Sequence, residues 1–448
     1  VFDDRTLAPL TGDLAIGHVR YSTTGSSTWR NAQPVYRGVG HTQFALGHNG
    51  NLVNTGQLAE EAGMLPGTVA SDSDLVAELV AMELELADRS RDGADDPGAE
   101  ASLDAAVAKV LPRLEGAFSL IFMDENRVIG VRDPNGFRPL CLGRLEDGGW
   151  VLASESPALD VVGAHFVREV DPGEMVILDE SGVRSVMAFP PERLNPKLCV
   201  FEFVYFARPD TRLYGRSVHH ARVRQGELLA EQAPVAADMV MGVPESGLPA
   251  AEGYARASGI PYGQGLVKNR YIGRTFIAPS QELRAQGVRM KLNPLKENLA
   301  GKRVVVVDDS VVRGTTQKQL VKMLRESGVT EVHLRLTSPP IKWSCFYGID
   351  TGRRSELLAH NLTVDEIRDY LNVDTLAFIT LDRLISSTGT SGAGFCDACF
   401  TGEYPVPVPV TLSKGVLDGS ERVGHTGEAL PLPAAEPDLF STEGLPRG

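Results

Sequence analysis

A run of four valines followed by two aspartates is the sequence feature with the clearest chemical meaning. It occupies residues 304–309 and continues through Ser310 and Val311 to Val312-Arg313-Gly314-Thr315-Thr316. The valines predict a strand buried on both faces, and a helix is predicted after the loop. Free N–H groups at a helix start, threonine hydroxyls and a glycine that permits close approach suit a phosphate group. The adjacent carboxylates Asp308 and Asp309 can hold ribose hydroxyls and help to position Mg²⁺.

A solvated aspartate pair before an ordinary helix cap is the alternative interpretation of this string. It suits an isolated pair of aspartates better than the complete string, which resembles the phosphoribosyl pyrophosphate motif of type I phosphoribosyltransferases. The resemblance implies that Arg313 to Thr316 hold the 5′-phosphate. The residues that we predict to bind phosphoribosyl pyrophosphate here are Asp308, Asp309, Ser310, Arg313, Gly314, Thr315 and Thr316.

Two further segments of the second half could act on the same substrate. Glu245-Ser246-Gly247 separates a predicted strand from a predicted helix, where it can grip pyrophosphate, although alone it would be an ordinary turn. Ser246 joins Asp308 and Asp309 as a predicted magnesium ligand. The basic segment 268–294 is either a solvated loop or a lid that excludes water from the reacting carbon. In the second case Lys268 and Arg274 close over the pyrophosphate.

The elements that must position these residues alternate along the second half. Strands predicted at 237–243, 302–310 and 331–340 are separated by helices at 248–259 and 317–328. This order predicts a parallel sheet covered by helices, with ligands at the carboxyl ends of its strands.

The first half contains short strands, predicted at 15–22, 44–53, 118–124 and 174–179, and one clear helix at 74–86. It also carries three short polar strings, at residues 17–22, 47–52 and 71–74. Each alone could be turn chemistry. Together they resemble the glutamine pocket of N-terminal-nucleophile amidotransferases. The resemblance implies that Arg20 holds the α-carboxylate of glutamine, that Asp72 holds its α-ammonium, and that Asn49 and Gly50 form an oxyanion hole.

The motifs in this order, over residues 11 to about 405, resemble the amidophosphoribosyltransferase family. The resemblance implies an α/β and α+β fold. Residues 1–190 would form an incomplete N-terminal-nucleophile (class II) glutamine amidotransferase domain. Residues 197–400 would form a type I phosphoribosyltransferase domain with a parallel sheet, after a linker at 190–196, and 402–448 a disordered tail.

The activity implied is the glutamine-dependent formation of 5-phosphoribosylamine, glutamate and pyrophosphate, the first step of purine synthesis. The resemblance also implies a homo-oligomer that purine nucleotides inhibit. A non-catalytic sensor of phosphoribosyl pyrophosphate is the alternative from another class, although a sensor needs no water-excluding lid. A nucleobase phosphoribosyltransferase is a second alternative, but it would not need the first half.

The first residue differs from the family pattern. The nucleophile of the family is an N-terminal cysteine, whereas this sequence begins with Val1. The first cysteine of the sequence is Cys141, which we interpret as a small buried residue. We therefore expect a missing leading segment, no catalytic nucleophile, and a reaction that uses free ammonia.

Four other cysteines can close a metal site. They are Cys199, Cys345, Cys396 and Cys399, the last two forming a CxxC pair. Four thiolates suit zinc or a [4Fe–4S] cluster equally well, and four unrelated buried thiols remain a third possibility. The resemblance favours a structural [4Fe–4S] cluster, because one branch of the family carries it on cysteines in these contexts.

The composition argues against some classes of binding partner. The net charge of −14 argues against a general electrostatic grip on nucleic acid or an anionic membrane. The sequence contains no run of about 18 apolar residues, so no membrane span is predicted. The first residues lack the pattern of a signal peptide, so we expect a cytoplasmic protein.

Overall fold

The structure is a computed structural model. It describes residues 3–20, 29–65, 67–91, 102–269, 271, 290–349, 351, 354–390 and 394–409. The first half is built on an antiparallel sheet of six strands in the order β1-β2-β3-β4-β8-β9, with a smaller antiparallel sheet in the order β6-β5-β7. Its strands are β1 (Val35–Val39), β2 (Thr42–Leu52), β3 (Gly116–Met123), β4 (Arg127–Arg132), β5 (Cys141–Arg144), β6 (Trp150–Ala153), β7 (His165–Glu169), β8 (Glu174–Asp179) and β9 (Gly182–Met187).

Helices cover one face of the larger sheet. The described helices of this half are α1 (Asp4–Leu7), α2 (Thr55–Glu61), α3 (Asp72–Arg91), α4 (Leu103–Val110) and α5 (Ser156–Val161), with short 3₁₀ turns at Trp29–Asn31, Leu111–Arg113 and Pro191–Arg193. Leu75 and Leu79 of α3 and Val107 of α4 pack on Phe118 and Leu120 of β3. The opposite face of the sheet packs on the smaller sheet. This is an α+β arrangement, as predicted.

The second half is built on a parallel sheet of four strands in the order β13-β16-β17-β18. Short two-stranded sheets accompany it, β10 with β19, β11 with β12 and β14 with β15. The strands are β10 (Lys197–Cys199), β11 (Arg212–Leu213), β12 (Arg216–Ser217), β13 (Met239–Gly242), β14 (Leu266–Lys268), β15 (Leu292–Pro294), β16 (Arg303–Asp308), β17 (Glu331–Leu336), β18 (Thr375–Phe378) and β19 (Gly394–Cys396).

Helices cover both faces of the parallel sheet. The described helices of this half are α6 (Val218–Gln232), α7 (Leu248–Ser258), α8 (Lys296–Leu299), α9 (Thr315–Glu326), α10 (Leu358–Asn361), α11 (Val364–Leu371), α12 (Leu381–Ser387) and α13 (Ala398–Thr401), with a 3₁₀ turn at Arg354–Glu356 and a π-helical turn at Glu202–Phe206. Val305 and Val307 of β16 face α6 and α7, whereas Val304 and Val306 face α9. The four valines are therefore buried on both faces, as predicted.

The two halves meet over a shared apolar cluster. Phe137 of the first half stacks on Tyr347 of the second at 4.4 Å between ring centroids. The Asn51 side chain donates to the carbonyl of Phe346 at 3.0 Å. A Cβ on Gly348 would lie only 3.3 Å from the backbone of Gly50, so the two backbones touch.

Some sequence predictions differ from the structure. Residues 15–20, predicted as part of a strand, have no regular structure, and residues 17–20 line a cavity. The predicted helix at 74–86 is longer, because it begins at Asp72 and ends at Arg91. Residues 402–409, predicted to be disordered, pack on the second half, and the Tyr404 hydroxyl donates to the Ser344 carbonyl at 2.6 Å. Apolar side chains in that short stretch provide the packing, and 410–448 lie outside the described residues.

Candidate functional site

The two predicted phosphate loops meet at the carboxyl edge of the parallel sheet. The loop 243–247 follows β13 and the loop 309–314 follows β16, its neighbour in the sheet. The Ser246 hydroxyl donates to Asp309 Oδ2 at 2.5 Å and so joins the loops. A Cβ on Gly247 would lie 2.4 Å from the Val307 carbonyl oxygen, so this position accepts only glycine without movement of the strand. The peptide bond between Pro244 and Glu245 is cis.

The aspartate pair lies almost fully out of solvent. Asp308 is 5% exposed and Asp309 is 9% exposed. Burial and the charge of Asp309 raise the pKa of Asp308 well above its usual value. Burial also raises the pKa of Asp309, although hydrogen bonds from Ser246 and Ser310 and the charge of Arg222 oppose the shift. Two buried carboxylates this close favour a cation or a hydrogen-bond donor as a third partner.

The helix start predicted for a phosphate group is present at α9. Gly314 has a φ of +74°, which a side chain would strain, and a Cβ there would meet the Leu358 side chain at 2.7 Å. Thr315 and Thr316 form the first turn of α9, whose N–H groups and dipole can face an anion. The Arg313 side chain pairs with Glu356 at 2.7 Å.

The basic segment begins and ends on a two-stranded ribbon, because β14 pairs antiparallel with β15. Lys268, at the end of β14, places its Nζ 2.9 Å from Glu245 Oε2, which ties the base of the segment to the first phosphate loop. The charge of Lys291 lowers the pKa values of Asp308 and Asp309 against the effect of burial. Arg274 lies outside the described residues.

A cavity of about 370 Å³ contains the predicted glutamine residues of the first half. Arg20, Asn49, Gly50 and Asp72 all line it. Gly50 has a φ of +153°, and a Cβ there would lie 2.1 Å from the Ala117 carbonyl oxygen. Only glycine therefore fits where its backbone faces the cavity.

The charge of Asp72 is fixed by its surroundings. Asp72 is the first residue of α3 and accepts from its neighbour's N–H at 2.8 Å. His48 Nδ1 lies 3.5 Å from Asp72 Oδ2. Burial disfavours both charges, but each partner stabilises the other, so the pKa of Asp72 is lowered and that of His48 is raised. Burial, with the nearby charges of His48 and Arg20, lowers the pKa of His18 to about 4.

Several residues that line this cavity were not predicted from the sequence. Gln33 accepts from the His48 N–H at 2.6 Å and donates to the Ser73 hydroxyl at 2.9 Å, so it fixes the base of the pocket. The remaining wall crosses to the second half and is formed by Glu202, Tyr205, Phe206 and Gly348 together with Arg138 of the first half. In the sequence, the position of Arg138 between the apolar residues Phe137 and Pro139 could have indicated a buried charge at a site.

The four predicted cluster cysteines share one region next to this wall. Cys199 in β10 is the register partner of Cys396 in β19. Burial raises the pKa of all four thiols, and charges of neighbouring thiols add to the effect at Cys199, Cys396 and Cys399. Within the described residues, no three His, Cys, Asp or Glu side chains are grouped closely enough to hold a metal ion. Burial raises the pKa of Cys141 to about 12, and this thiol donates to the Ala153 carbonyl, as expected of a structural residue.

Comparison with known proteins gives two domain matches and several relatives that match most of the chain. A glutamine amidotransferase domain matches residues 18–161, and a phosphoribosyl transferase domain matches residues 226–337. The amidophosphoribosyltransferase of Mycobacterium tuberculosis is 50% identical over 98% of this chain and 83% of its own length. That of Synechocystis sp. is 48% identical over 93% of this chain and 82% of its own. The chain belongs to the amidophosphoribosyltransferase family.

Solved structures agree with this assignment. The glutamine phosphoribosylpyrophosphate amidotransferase of B. subtilis, complexed with ADP and GMP, superposes with a TM-score of 0.75 at 45% identity, covering 88% of this chain and 83% of that one. A structure described as the allosteric regulatory enzyme of purine biosynthesis gives 0.77 at 44%, covering 92% and 84%. The predicted family and the predicted pair of domain folds are confirmed. Among the described residues, no helix combines the length and the apolar character needed to cross a membrane.

Proposed function

We propose that this protein forms a bond between nitrogen and C1 of phosphoribosyl pyrophosphate, with release of pyrophosphate, as the names of its relatives indicate. The observation that carries the proposal is the hydrogen bond from Ser246 to Asp309, which joins the two phosphate loops into one site. The loop at 245–247 would hold the pyrophosphate, and the start of α9 at Arg313 to Thr316 would hold the 5′-phosphate. Asp308 and Asp309 would hold the ribose hydroxyls between them.

Magnesium fits this site by chemistry. Carboxylate and hydroxyl oxygens are its preferred protein ligands, and the buried aspartate pair lacks enough nearby positive charge to hold both pKa values down. Ser246, Asp308 and Asp309 would position the ion, which neutralises charge on the leaving pyrophosphate when bound. The protein's own contribution is then to orient C1 and the nitrogen nucleophile and to exclude water.

Glutamine would be the nitrogen source in the cavity of the first half. The fixed negative charge of Asp72 suits an α-ammonium group, and Arg20 suits an α-carboxylate. Asn49 and the Gly50 N–H would stabilise the oxyanion of an attacked amide. Tyr205 and Phe206 of the second half line the same cavity, so ammonia formed there would lie beside the half that holds the phosphoribosyl site. Purine nucleotides are proposed as regulators, since a relative was solved with ADP and GMP.

We also propose a structural [4Fe–4S] cluster on Cys199, Cys345, Cys396 and Cys399. Such a cluster binds each thiolate at a different iron, so its ligands need not be gathered around one ion. The register pair Cys199 and Cys396 places two of the ligands on the small sheet that joins the start of the second half to its end. Iron and sulfide analysis of protein purified without oxygen, together with the absorbance lost on Cys399→Ser, tests this assignment.

The test of the reaction is pyrophosphate release from phosphoribosyl pyrophosphate with Mg²⁺ and free ammonia. Ammonia isolates the second half from the chemistry of glutamine. We expect release by the unaltered chain and a loss of about 10- to 150-fold in Asp308→Asn, since an interaction with a charged group contributes about 1.5–3 kcal/mol. Arg224→Gln is a matched control, because Arg224 is exposed on α6 and pairs with Glu227 at 2.9 Å and Glu231 at 3.9 Å of the same helix. Binding of the substrate without any release would support a non-catalytic regulator instead.

A further inference from the structure

A short turn far along the chain packs on the loop that would hold the 5′-phosphate. It is the 3₁₀ turn Arg354–Glu356, which is followed by α10. The Leu358 N–H donates to the Val312 carbonyl at 2.9 Å. The Leu358 side chain also lies against Gly314, since a Cβ added to Gly314 would be 2.7 Å from it. The turn and the phosphate loop are therefore held together by both backbone and side-chain contacts.

The turn has further contacts that fix its shape. The Arg354 guanidinium lies over the Trp343 ring, with Cζ 3.4 Å from the ring centroid. The Asn361 side chain donates to the carbonyls of Ser355 at 2.7 Å and of Leu357 at 3.0 Å. These two carbonyls flank Glu356 in the sequence, so the backbone that carries Glu356 is held in place without help from its own side chain.

Glu356 binds one edge of the Arg313 guanidinium. Arg313 Nε donates to Glu356 Oε2 at 2.7 Å, and Nη2 lies 2.7 Å from the same oxygen. In a planar guanidinium, Nε and Nη2 form one edge, whereas Nη1 and the second N–H of Nη2 form another. That other edge can donate two parallel N–H groups to a phosphate. One arginine can therefore bind the carboxylate and a phosphate at the same time.

The exposure of this pair argues against a role in folding stability. The side chains of Arg313 and Glu356 are 35% and 45% exposed. An ion pair that water reaches to this extent contributes little to stability. Its effect should appear where the orientation of the guanidinium matters, which is in ligand binding. A long arginine side chain loses rotational freedom when it binds a ligand, and a partner that fixes it beforehand removes part of that cost.

We propose that Glu356 is a positioning residue for the 5′-phosphate of phosphoribosyl pyrophosphate. It holds Arg313 beside the start of α9, so that the second edge of the guanidinium meets the phosphate. This inference rests on the proposed function, because it requires the 5′-phosphate to bind at Arg313 to Thr316. The 5′-phosphate takes no part in the bond change at C1, so its contacts are the same before and during the reaction. Loss of such contacts raises KM and leaves kcat unchanged.

The first test is the KM for phosphoribosyl pyrophosphate, measured as pyrophosphate release with Mg²⁺ and ammonia. We expect Glu356→Ala to raise KM by about 2- to 12-fold at unchanged kcat, the cost of fixing one long side chain. Glu356→Gln should recover part of the loss, because its amide oxygen can still accept from Arg313 Nε. Glu326→Ala is the matched control at the other end of α9, where Glu326 pairs with Lys322 at 4.0 Å. Its KM should equal that of the unaltered chain.

The second test uses the two parts of the substrate separately. Ribose 5-phosphate carries the 5′-phosphate without the pyrophosphate, and inorganic pyrophosphate is the reverse case. Calorimetry with Mg²⁺ should show that Glu356→Ala weakens the binding of ribose 5-phosphate by the same factor as KM and leaves that of pyrophosphate unchanged. In Arg313→Gln, which should itself raise KM, the further change Glu356→Ala should have no effect, because the two residues act as one unit.

These measurements separate the inference from the function on which it rests. Absence of pyrophosphate release by the unaltered chain would overturn the proposed function. Release with an unchanged or lower KM in Glu356→Ala would overturn the inference alone. So would an equal loss of affinity for ribose 5-phosphate and pyrophosphate, or a full effect of Glu356→Ala in Arg313→Gln. If circular dichroism shows that Glu356→Ala does not fold, the same measurements on Glu356→Gln decide the matter.

Discussion

Substitution of Gly247 by alanine tests the shape of the pyrophosphate loop. The added Cβ would lie 2.4 Å from the Val307 carbonyl oxygen and 3.0 Å from the Val243 nitrogen. Those atoms are already joined, because the Val243 N–H donates to the Val307 carbonyl at 2.9 Å. Both neighbours are backbone atoms, so the loop and not a flexible side chain must move. Overpacking of this kind costs about 1–3 kcal/mol.

The cost should appear in substrate binding. If the relaxed loop must return to its original shape to hold pyrophosphate, the KM for phosphoribosyl pyrophosphate rises about 5- to 150-fold. The assay is pyrophosphate release with Mg²⁺ and ammonia, accompanied by circular dichroism to show that the sheet is intact. Gly38→Ala in β1 is the matched control, because its Cβ would lie 4.0 Å from the nearest atom. An unchanged KM in Gly247→Ala would refute the assignment of this loop.

Three other predictions follow from single side chains. Asp72→Asn should weaken glutamine binding by about 10- to 150-fold, because a contact with a charged group is lost. Calorimetry measures the affinity, and equal affinity of the two proteins for glutamine would argue against this pocket. Burial raises the pKa of Asp133 to about 6, so in the unaltered chain stability should fall by about 3 kcal/mol from about pH 4 to about pH 7 as this carboxyl ionises. The free energy of unfolding of Asp133→Asn, measured with denaturant, should not show that part of the pH dependence. A difference in unfolding free energy between the two proteins that stays constant with pH would contradict this prediction. Because burial raises the pKa of Cys141 to about 12, iodoacetamide should not modify it in the folded chain, and Cys141→Ala should release pyrophosphate at the original rate.

The sign of the Asp133 effect follows from its neighbours. The carboxylate accepts N–H groups from Phe118, Asn135 and Phe137, which favour its ionised form. Burial outweighs them, so the folded state retains the proton to a higher pH than the unfolded state. Stability is therefore lost as pH rises between the unfolded and folded pKa values.

The phosphoribosyl site could largely be predicted from the sequence, because most of its residues lie close together along the chain. Four valines, two aspartates and a glycine before a helix lie in one continuous string, and each has a separate physical reason to be there. The structure places the string as β16, a loop and the start of α9. Ser246 came from a weaker string, and only the parallel pairing of β13 with β16 brings it to Asp309.

The wall of the glutamine cavity could not be predicted in the same way. Arg138 and Glu202 are distant in sequence and meet only because the two halves pack together. Periodicity describes faces of a helix or strand, and it carries no information on which faces of two domains touch. The strand prediction was wrong at 15–20 for a related reason, since residues 17–20 line a cavity that the second half completes.

The π-helical turn also escaped prediction. The aromatic stretch Phe201 to Phe206 suits a strand as well as a helix by composition. Arg222 of α6 donates to the carbonyls of Glu202, Phe203 and Ala207 and so stabilises the turn. A tertiary contact therefore contributes to the local structure here.

Isotope labelling shows whether nitrogen replaces pyrophosphate at C1. Phosphoribosyl pyrophosphate labelled with ¹³C at C1 is mixed with Mg²⁺, ¹⁵N-ammonia and the protein, and the C1 resonance is followed by NMR. We expect a one-bond coupling between ¹³C and ¹⁵N that grows in step with pyrophosphate and grows much more slowly in Asp308→Asn. Pyrophosphate release without that coupling would mean hydrolysis by water and would overturn the proposed function.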